Sequence, residues 1–151
     1  APHAPDVVIV PIGGGGLVAG VGSALKALKP AIKLWGVEPD TAAPTARSLE
    51  MGSPQVFEGW QASFVDGAGG RSVFPRMWER MKPVLDGCIV VSLEQTRQAM
   101  RLLAEKSRVI AEGAGALSVA AALTGKAGQG PIVAIVSGGN VDLKKFCELI
   151  G

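Results

Sequence analysis

Apolar positions along the chain fall into short unbroken runs, separated by longer stretches where they recur at helical spacing. Val7-Val8-Ile9-Val10 is a β-branched run ending in Pro11-Ile12 and four glycines. Loss of polar alternation marks a strand covered on both faces, as in a parallel sheet. Leu17, Val21, Leu25 and Leu28 follow as one apolar helical face, which Pro30 ends. Lys33-Leu34-Trp35-Gly36-Val37 is a second strand leading into Glu38-Pro39. The opening is therefore a β-α-β unit, which implies a right-handed crossover between parallel strands.

From Thr41 to Gly70 prolines and glycines interrupt the pattern, and no element is predicted. A helix is predicted near Pro75–Leu85 and a strand at Cys88-Ile89-Val90-Val91. Ser92 and Gln95 form an S-x-x-Q capping box, predicting a helix to about Lys106. Glu112 to Leu123 is Ala-rich and helical, with Gly125 placed as its stop. Ile132 to Val136 is the last strand, ending in Ser137-Gly138-Gly139-Asn140, and a short helix follows to Ile150. Strands alternating with helices predict an α/β fold: an open, mostly parallel sheet between two helix layers. Ligands of such sheets bind at the carboxyl ends of the strands, where both glycine motifs fall. No repeat, linker or low-complexity stretch divides the chain, so residues 1–151 are read as a single domain.

Composition narrows this picture. Hydrophobic residues make up 48% of the chain, with a mean hydropathy of +0.32. That fits either an Ala- and Val-rich core or apolar surface meant for another chain or segment. The 15 basic and 13 acidic residues are scattered without a run, which argues against nucleic acid as a partner. No apolar run reaches membrane-spanning length and Ala1 to Ile12 lacks a signal-peptide pattern, so no membrane partner and a cytoplasmic location are expected. Cys88 and Cys147 lack CxxC spacing and are read as two buried, reduced thiols. His3 is read as a solvated terminal residue, Trp35, Trp60 and Trp78 as core or interface, and Arg97, Arg101 and Lys106 as a wet helix face. A first residue that is not Met, leading straight into a strand, reads as a cut or processed start.

The strongest local motif is Gly13-Gly14-Gly15-Gly16-Leu17, set between a strand and a helix. Residues without Cβ let backbone amides approach an anion, and the helix start adds unpaired N–H groups and a positive dipole end. A tight packing turn would explain one or two glycines; four point to a phosphate. Gly14-x-Gly16-x-x-Ala19, with Glu38 at the end of the next strand, also satisfies a relaxed dinucleotide fingerprint. On these residues alone the choice between a nucleotide and another phosphate ligand stays open, though no Walker lysine follows.

Five motifs in order bear on that choice: Gly-Gly-Gly-Gly-Leu, Gly36-Val37-Glu38-Pro39, Asp66-Gly67, Glu112-Gly113-Ala114-Gly115-Ala116 and Ser137-Gly138-Gly139-Asn140. Together they resemble the serine/threonine dehydratases, a family that includes serine racemase and belongs to the tryptophan-synthase-β-like (fold type II) pyridoxal-phosphate enzymes. The resemblance covers essentially the whole chain and identifies it with the C-terminal half of their catalytic domain. It implies pyridoxal 5'-phosphate as cofactor, a small hydroxy amino acid as substrate, and a 2-oxo acid plus ammonia as products. It also implies roles for residues. Gly13 to Gly16 and Leu17 would cradle the cofactor phosphate, Ser137 would bond the pyridine nitrogen, Glu112 would lie close to the ring, and Asp66-Gly67 would line the substrate side. Some members hold Mg²⁺ or Ca²⁺, and the matching ligands would be the Glu38 carboxylate and the Ala42 carbonyl. Pro44 stands where those members supply an aspartate, so the set falls one carboxylate short and Glu38 is expected to be structural.

The resemblance places the Schiff-base lysine upstream, and none of the eight lysines here has that context. The chain alone is therefore expected to hold no catalytic residue and to be incompetent as a dehydratase, needing an N-terminal half or complementing chain. Assembly as a homo-oligomer is a further expectation. The alternatives are an autonomous phosphate- or cofactor-binding module and a Rossmann-type nucleotide domain.

Overall fold

The computed structural model describes residues 4–151, so His3 lies outside the described residues. Strands β1 (Val7–Pro11), β2 (Lys33–Pro39), β3 (Gly87–Val91) and β4 (Ile132–Ala134) form one sheet in the order β3-β2-β1-β4, with every pairing parallel. Val7 of β1 stands opposite Lys33 on one side and Ile132 on the other. Helices α1 (Gly16–Leu28), α2 (Pro44–Met51), α3 (Pro75–Met81), α4 (Leu93–Leu102), α5 (Gly113–Leu123) and α6 (Leu143–Ile150) complete the unit, with a 3-10 turn at Asp66–Ala68 and a π-helical turn at Leu103–Ser107.

Alternate strand residues feed two cores. Val7, Ile9, Val37, Ile89 and Val91 pack with Ala99 and Met100 of α4, Leu117 of α5 and Phe146 of α6. Val8, Val10, Ile12 and Leu34 pack on the other face with Val18 of α1 and Trp78 and Met81 of α3. This is the expected three-layer α/β arrangement, and burial of all five β1 residues explains its unbroken apolar run.

Helix α1 is turned partway from the face its apolar spacing suggested. Val21 and Leu25 pack against the core as expected, but Leu17 and Leu28 are exposed, and the fully buried residues are Val18, Ala19 and Gly22. At Gly22 a Cβ would stand 2.6 Å from side-chain carbons of both Leu34 and Val84. Close approach at this point admits only a residue without a side chain, while Val21 and Leu25 are partly buried against the same core.

The stretch without a sequence signal contains α2, because its cap comes from a neighbouring strand. Ala43 offers no side-chain cap, but Glu38 at the end of β2 accepts from Thr45 N–H and Ala46 N–H at 2.9 Å each. Pro44 at the first turn needs no acceptor, and Gly52 stops the helix at φ 75°. The capping box of α4 forms as expected: Ser92 N–H donates to Gln95 Oε1 at 2.8 Å, and Gln95 N–H donates to Ser92 Oγ at 3.1 Å. After Leu102 the helix widens into the π turn, which ends at Arg108 with φ 57°.

The reading of the cysteines is corrected: the thiols are not both buried, since Cys147 is exposed on α6 and Cys88 is half-buried. Of the tryptophans, Trp78 is buried and Trp60 is 38% exposed. Exposed apolar side chains are numerous, including Phe74, Val133 and Val136, so the high hydropathy reflects surface as well as core. Among the described residues no helix is long and apolar enough to cross a membrane.

Candidate functional site

The chain leaves β1 through α1 on one face of the sheet, and leaves the neighbouring β4 through α6 on the other. A crevice opens at the carboxyl ends of two adjacent strands whose connections diverge in this way. Gly13–Gly16 follow β1 and Ser137–Gly138 follow β4, so both glycine motifs meet there.

The four glycines divide into two kinds. Gly13 and Gly15 are required by packing: a Cβ on Gly13 would run into the Gly67 carbonyl, and one on Gly15 would press on Met81 Sδ. Gly15 also has φ 93°, a left-handed conformation that L side chains rarely adopt. A Cβ on Gly14 or Gly16 would meet nothing within 4 Å, and both residues are exposed. Packing therefore explains two glycines and leaves two that face open space. The first intrahelical bond of α1 runs from Ala19 N–H to the Gly15 carbonyl at 3.0 Å. The amides of Gly16, Leu17 and Val18 come before it, with no side-chain cap and no acidic residue in the first turn. A helix start with free donors and no counter-charge of its own suits an anion.

The other predicted residues join this loop by contact. The 3-10 turn places Gly67 against Gly13, and a Cβ on Gly67 would stand 3.0 Å from Ala114 Cβ and 3.5 Å from Glu112 Oε1. Glu112 is the N-cap of α5 but makes no side-chain cap bond. Its carboxylate reaches instead toward Gly138, where a Cβ would collide with Oε1, and its N–H donates to the Gly138 carbonyl at 3.1 Å. Gly115 fits against the same Gly138 backbone. Ser137, next to Gly138, is exposed, and Ser118 on α5 donates through Oγ to the Ile135 carbonyl just before it. Asp66 turns aside, its Oδ1 accepting from Gly67 N–H at 2.8 Å.

The candidate metal ligands are arranged differently. Both Glu38 oxygens are taken by α2 amides, and Cys88 Sγ lies 3.6 Å from Oε2. Burial raises the Glu38 carboxyl above its ordinary value, with the amide bonds opposing, and burial and the Glu38 charge push the Cys88 thiol well up. A cation at Glu38 and the buried Ala42 would compete with two backbone donors. The same engagement removes Glu38 from the ribose-binding role that a nucleotide domain would need.

At the opposite end of the sheet lies a cavity of about 600 Å³ lined by Asp6, Lys29, Ile32 and Lys33 among others. Lys26 and Lys33 pair there with Asp86 at 2.8 and 3.1 Å. Burial alone would raise the Asp86 carboxyl, but the Lys26 bond, the Leu34 amide and Lys33 hold it below the usual range. This ion cluster fastens β2 to the turn before β3 and does not touch the glycine crevice.

Some contributors to the crevice were not singled out from the sequence. Gly138 was quoted only as part of its motif, although its missing side chain makes room for Glu112. Met77 and Met81, which close over Gly15, come from α3 and carry no local signal linking them to the loop.

Comparison with known proteins shows the family. The family model described as Pyridoxal-phosphate dependent enzyme matches residues 1–138. The L-threonine ammonia-lyase of Thermotoga maritima is 37% identical over 146 residues, covering 96% of this chain and 36% of that protein. The processed form of threonine deaminase isoform 2 from Solanum lycopersicum superposes with a TM-score of 0.87 at 32% identity, covering 96% of this chain and 43% of that one. Maize serine racemase gives 0.86 at 33% identity, covering 95% and 47%. The chain thus spans less than half the length of each of these relatives. The family model nevertheless covers residues 1–138 of the 151, and the chain belongs to the pyridoxal-phosphate dependent enzyme family.

Proposed function

We propose that these residues form the cofactor-holding part of a serine/threonine dehydratase-like lyase, which removes the β-hydroxyl of L-serine or L-threonine to yield a 2-oxo acid and ammonia. The observation that carries the reading is the tetraglycine loop, whose Gly14 and Gly16 face open space beside the uncapped start of α1. The amides of this loop and of Leu17 would hold the cofactor phosphate. Gly67 and Gly138, lacking side chains, let Glu112 pack between them, which sets its carboxylate beside the position proposed for the ring. The bound cofactor supplies an electron sink for the carbanion at the substrate Cα.

Ser137 sets how the ring is held. A hydroxyl that donates to the pyridine nitrogen does not keep a proton on it, as a carboxylate partner would. That moderates electron withdrawal and suits β-elimination, where the leaving hydroxyl takes up the electrons promptly. Lys26 and Lys33 are committed to Asp86 at the far end of the sheet. None of the eight lysines has the sequence context of the family's Schiff-base lysine, so the lysine that would anchor the cofactor and take the Cα proton is assigned, by the resemblance, to a segment outside these residues.

Two measurements test this. The full-length enzyme, loaded with pyridoxal phosphate, should release ammonia and a 2-oxo acid from L-threonine or L-serine. Interconversion of stereoisomers without 2-oxo acid would refute the dehydratase reading in favour of a racemase. The 151-residue chain alone, incubated with pyridoxal phosphate and reduced with borohydride, should show no stoichiometric label at any single lysine. Stoichiometric labelling of one lysine would overturn the claim that the chain by itself is incompetent.

A further inference from the structure

Residues 55–73 form a loop closed at its base by a short antiparallel ribbon. Val56 bridges Ser72, Phe57 N–H donates to the Arg71 carbonyl at 2.8 Å, and Val73 N–H donates to the Gln55 carbonyl at 3.1 Å. The loop carries Gly67, which touches both Gly13 and Glu112. It is held unevenly: Val65 and Ala68, on either side of Gly67, and Val73 at its end are buried in the core, but Gly69 and Gly70 between them have no side chains to fix them.

A side chain from the start of the loop reaches Gly69. Trp60 Nε1–H donates to the Gly69 carbonyl at 2.8 Å, and the Arg71 guanidinium sits 6.0 Å from the centre of the indole ring. Trp60 is 38% exposed and belongs to neither core cluster. An indole placed like this contributes little to the core and much to where the backbone of Gly69-Gly70 lies.

We propose that Trp60 is a positioning residue for the site: its indole N–H pins Gly69 and so holds Gly70 beside the Gly13 carbonyl, where a Cβ on Gly70 would stand 3.8 Å away, at the wall of the cofactor crevice. This rests on the function proposed above, but the pin itself is a separate physical claim. Ser63 supports the same loop from within, accepting from Val65 N–H at 3.1 Å and lying 3.4 Å from Thr41 Oγ1, so the stretch up to Ala68 stays in place when the pin is removed.

The test uses the full-length protein and Trp60→Phe, which keeps an aromatic ring near Arg71 and deletes the donor. Hydrogen exchange of the cofactor-free protein, read by mass spectrometry on peptides covering residues 66–71, should quicken roughly fivefold, the scale of one neutral hydrogen bond. Peptides covering β1 should be unchanged, as should the melting temperature. Pyridoxal-phosphate affinity should fall by a similar factor, with a shifted absorption band of the bound cofactor. Unchanged exchange at residues 66–71 would overturn the pin. Faster exchange with unaltered affinity and absorption would overturn its positioning role. If the wild-type protein bound no pyridoxal phosphate, the proposed function would fail, while the exchange data would still decide whether Trp60 holds the loop. Arg71→Gln separates the two contacts of the indole: it should leave exchange at residues 66–71 near wild type, and acceleration equal to that of Trp60→Phe would assign the effect to the cation and refute the donor.

Discussion

Replacing Gly16 by aspartate should separate binding from folding. Gly16 is the first residue of α1, its φ is not positive, and a Cβ there meets nothing within 4 Å. Aspartate improves on glycine in helix propensity by a few tenths of a kcal/mol, and its charge at the positive helix end adds about 0.3–1 kcal/mol. The cofactor-free melting temperature should therefore hold or rise by roughly 1–3 °C. Binding should move the other way. At about 4 Å and an effective dielectric constant of about 20, two unit charges repel by about 4 kcal/mol, equal to about three decades of affinity. Gly15 is a poor place for this test, because its left-handed φ and the Met81 sulfur would make a side chain damage the loop itself. The assay is a thermal melt of the cofactor-free full-length protein beside a pyridoxal-phosphate titration followed by absorbance, with Gly16→Asn as the neutral control. Asparagine should bind at least about tenfold better than aspartate, since it carries the bulk without the charge. Aspartate binding within tenfold of wild type, or no better binding by asparagine, would refute the anion-cradle reasoning.

Gly13→Ala should push back the Gly67 carbonyl, costing about 1–3 kcal/mol of stability in a denaturant melt and lowering cofactor affinity as well. Ser137→Ala should weaken cofactor binding only about fivefold, the scale of one neutral hydrogen bond, and leave the melting temperature unchanged because the side chain is exposed. Glu38 has a folded-state pKa raised by burial, so its contribution to stability is full below the unfolded value and is lost as pH rises through the folded one. Glu38→Gln should flatten stability against pH across that window in urea melts, whereas Glu38→Ala should lose about 1–3 kcal/mol at every pH by leaving the Thr45 and Ala46 amides unpaired.

Much of the architecture is encoded locally. The β1 run, the Ser92–Gln95 capping box and the last strand needed only neighbouring residues, because burial on both faces, a reciprocal cap and a β-branched run are short-range patterns. Helix α2 was hidden because its cap is Glu38, seven and eight residues upstream on another element. The face of α1 was legible only in part: Val21 and Leu25 pack on the core, but the closest approach falls at Gly22, which a pattern built on large apolar residues passes over.

The candidate site divides along the same line. The sequence by itself determined that a glycine-rich loop joins a strand to a helix and that a second glycine motif ends a later strand. It also carried the order of motifs that marks the family. Only the tertiary structure decided that Gly13 and Gly15 serve packing while Gly14 and Gly16 face open space, that Glu112 leaves its own helix uncapped to reach Gly138, and that Trp60 reaches Gly69. The physical reason is that a glycine's meaning lies in what its missing Cβ would have met, and those neighbours, Gly67, Met81 and Glu112, come from elements far along the chain.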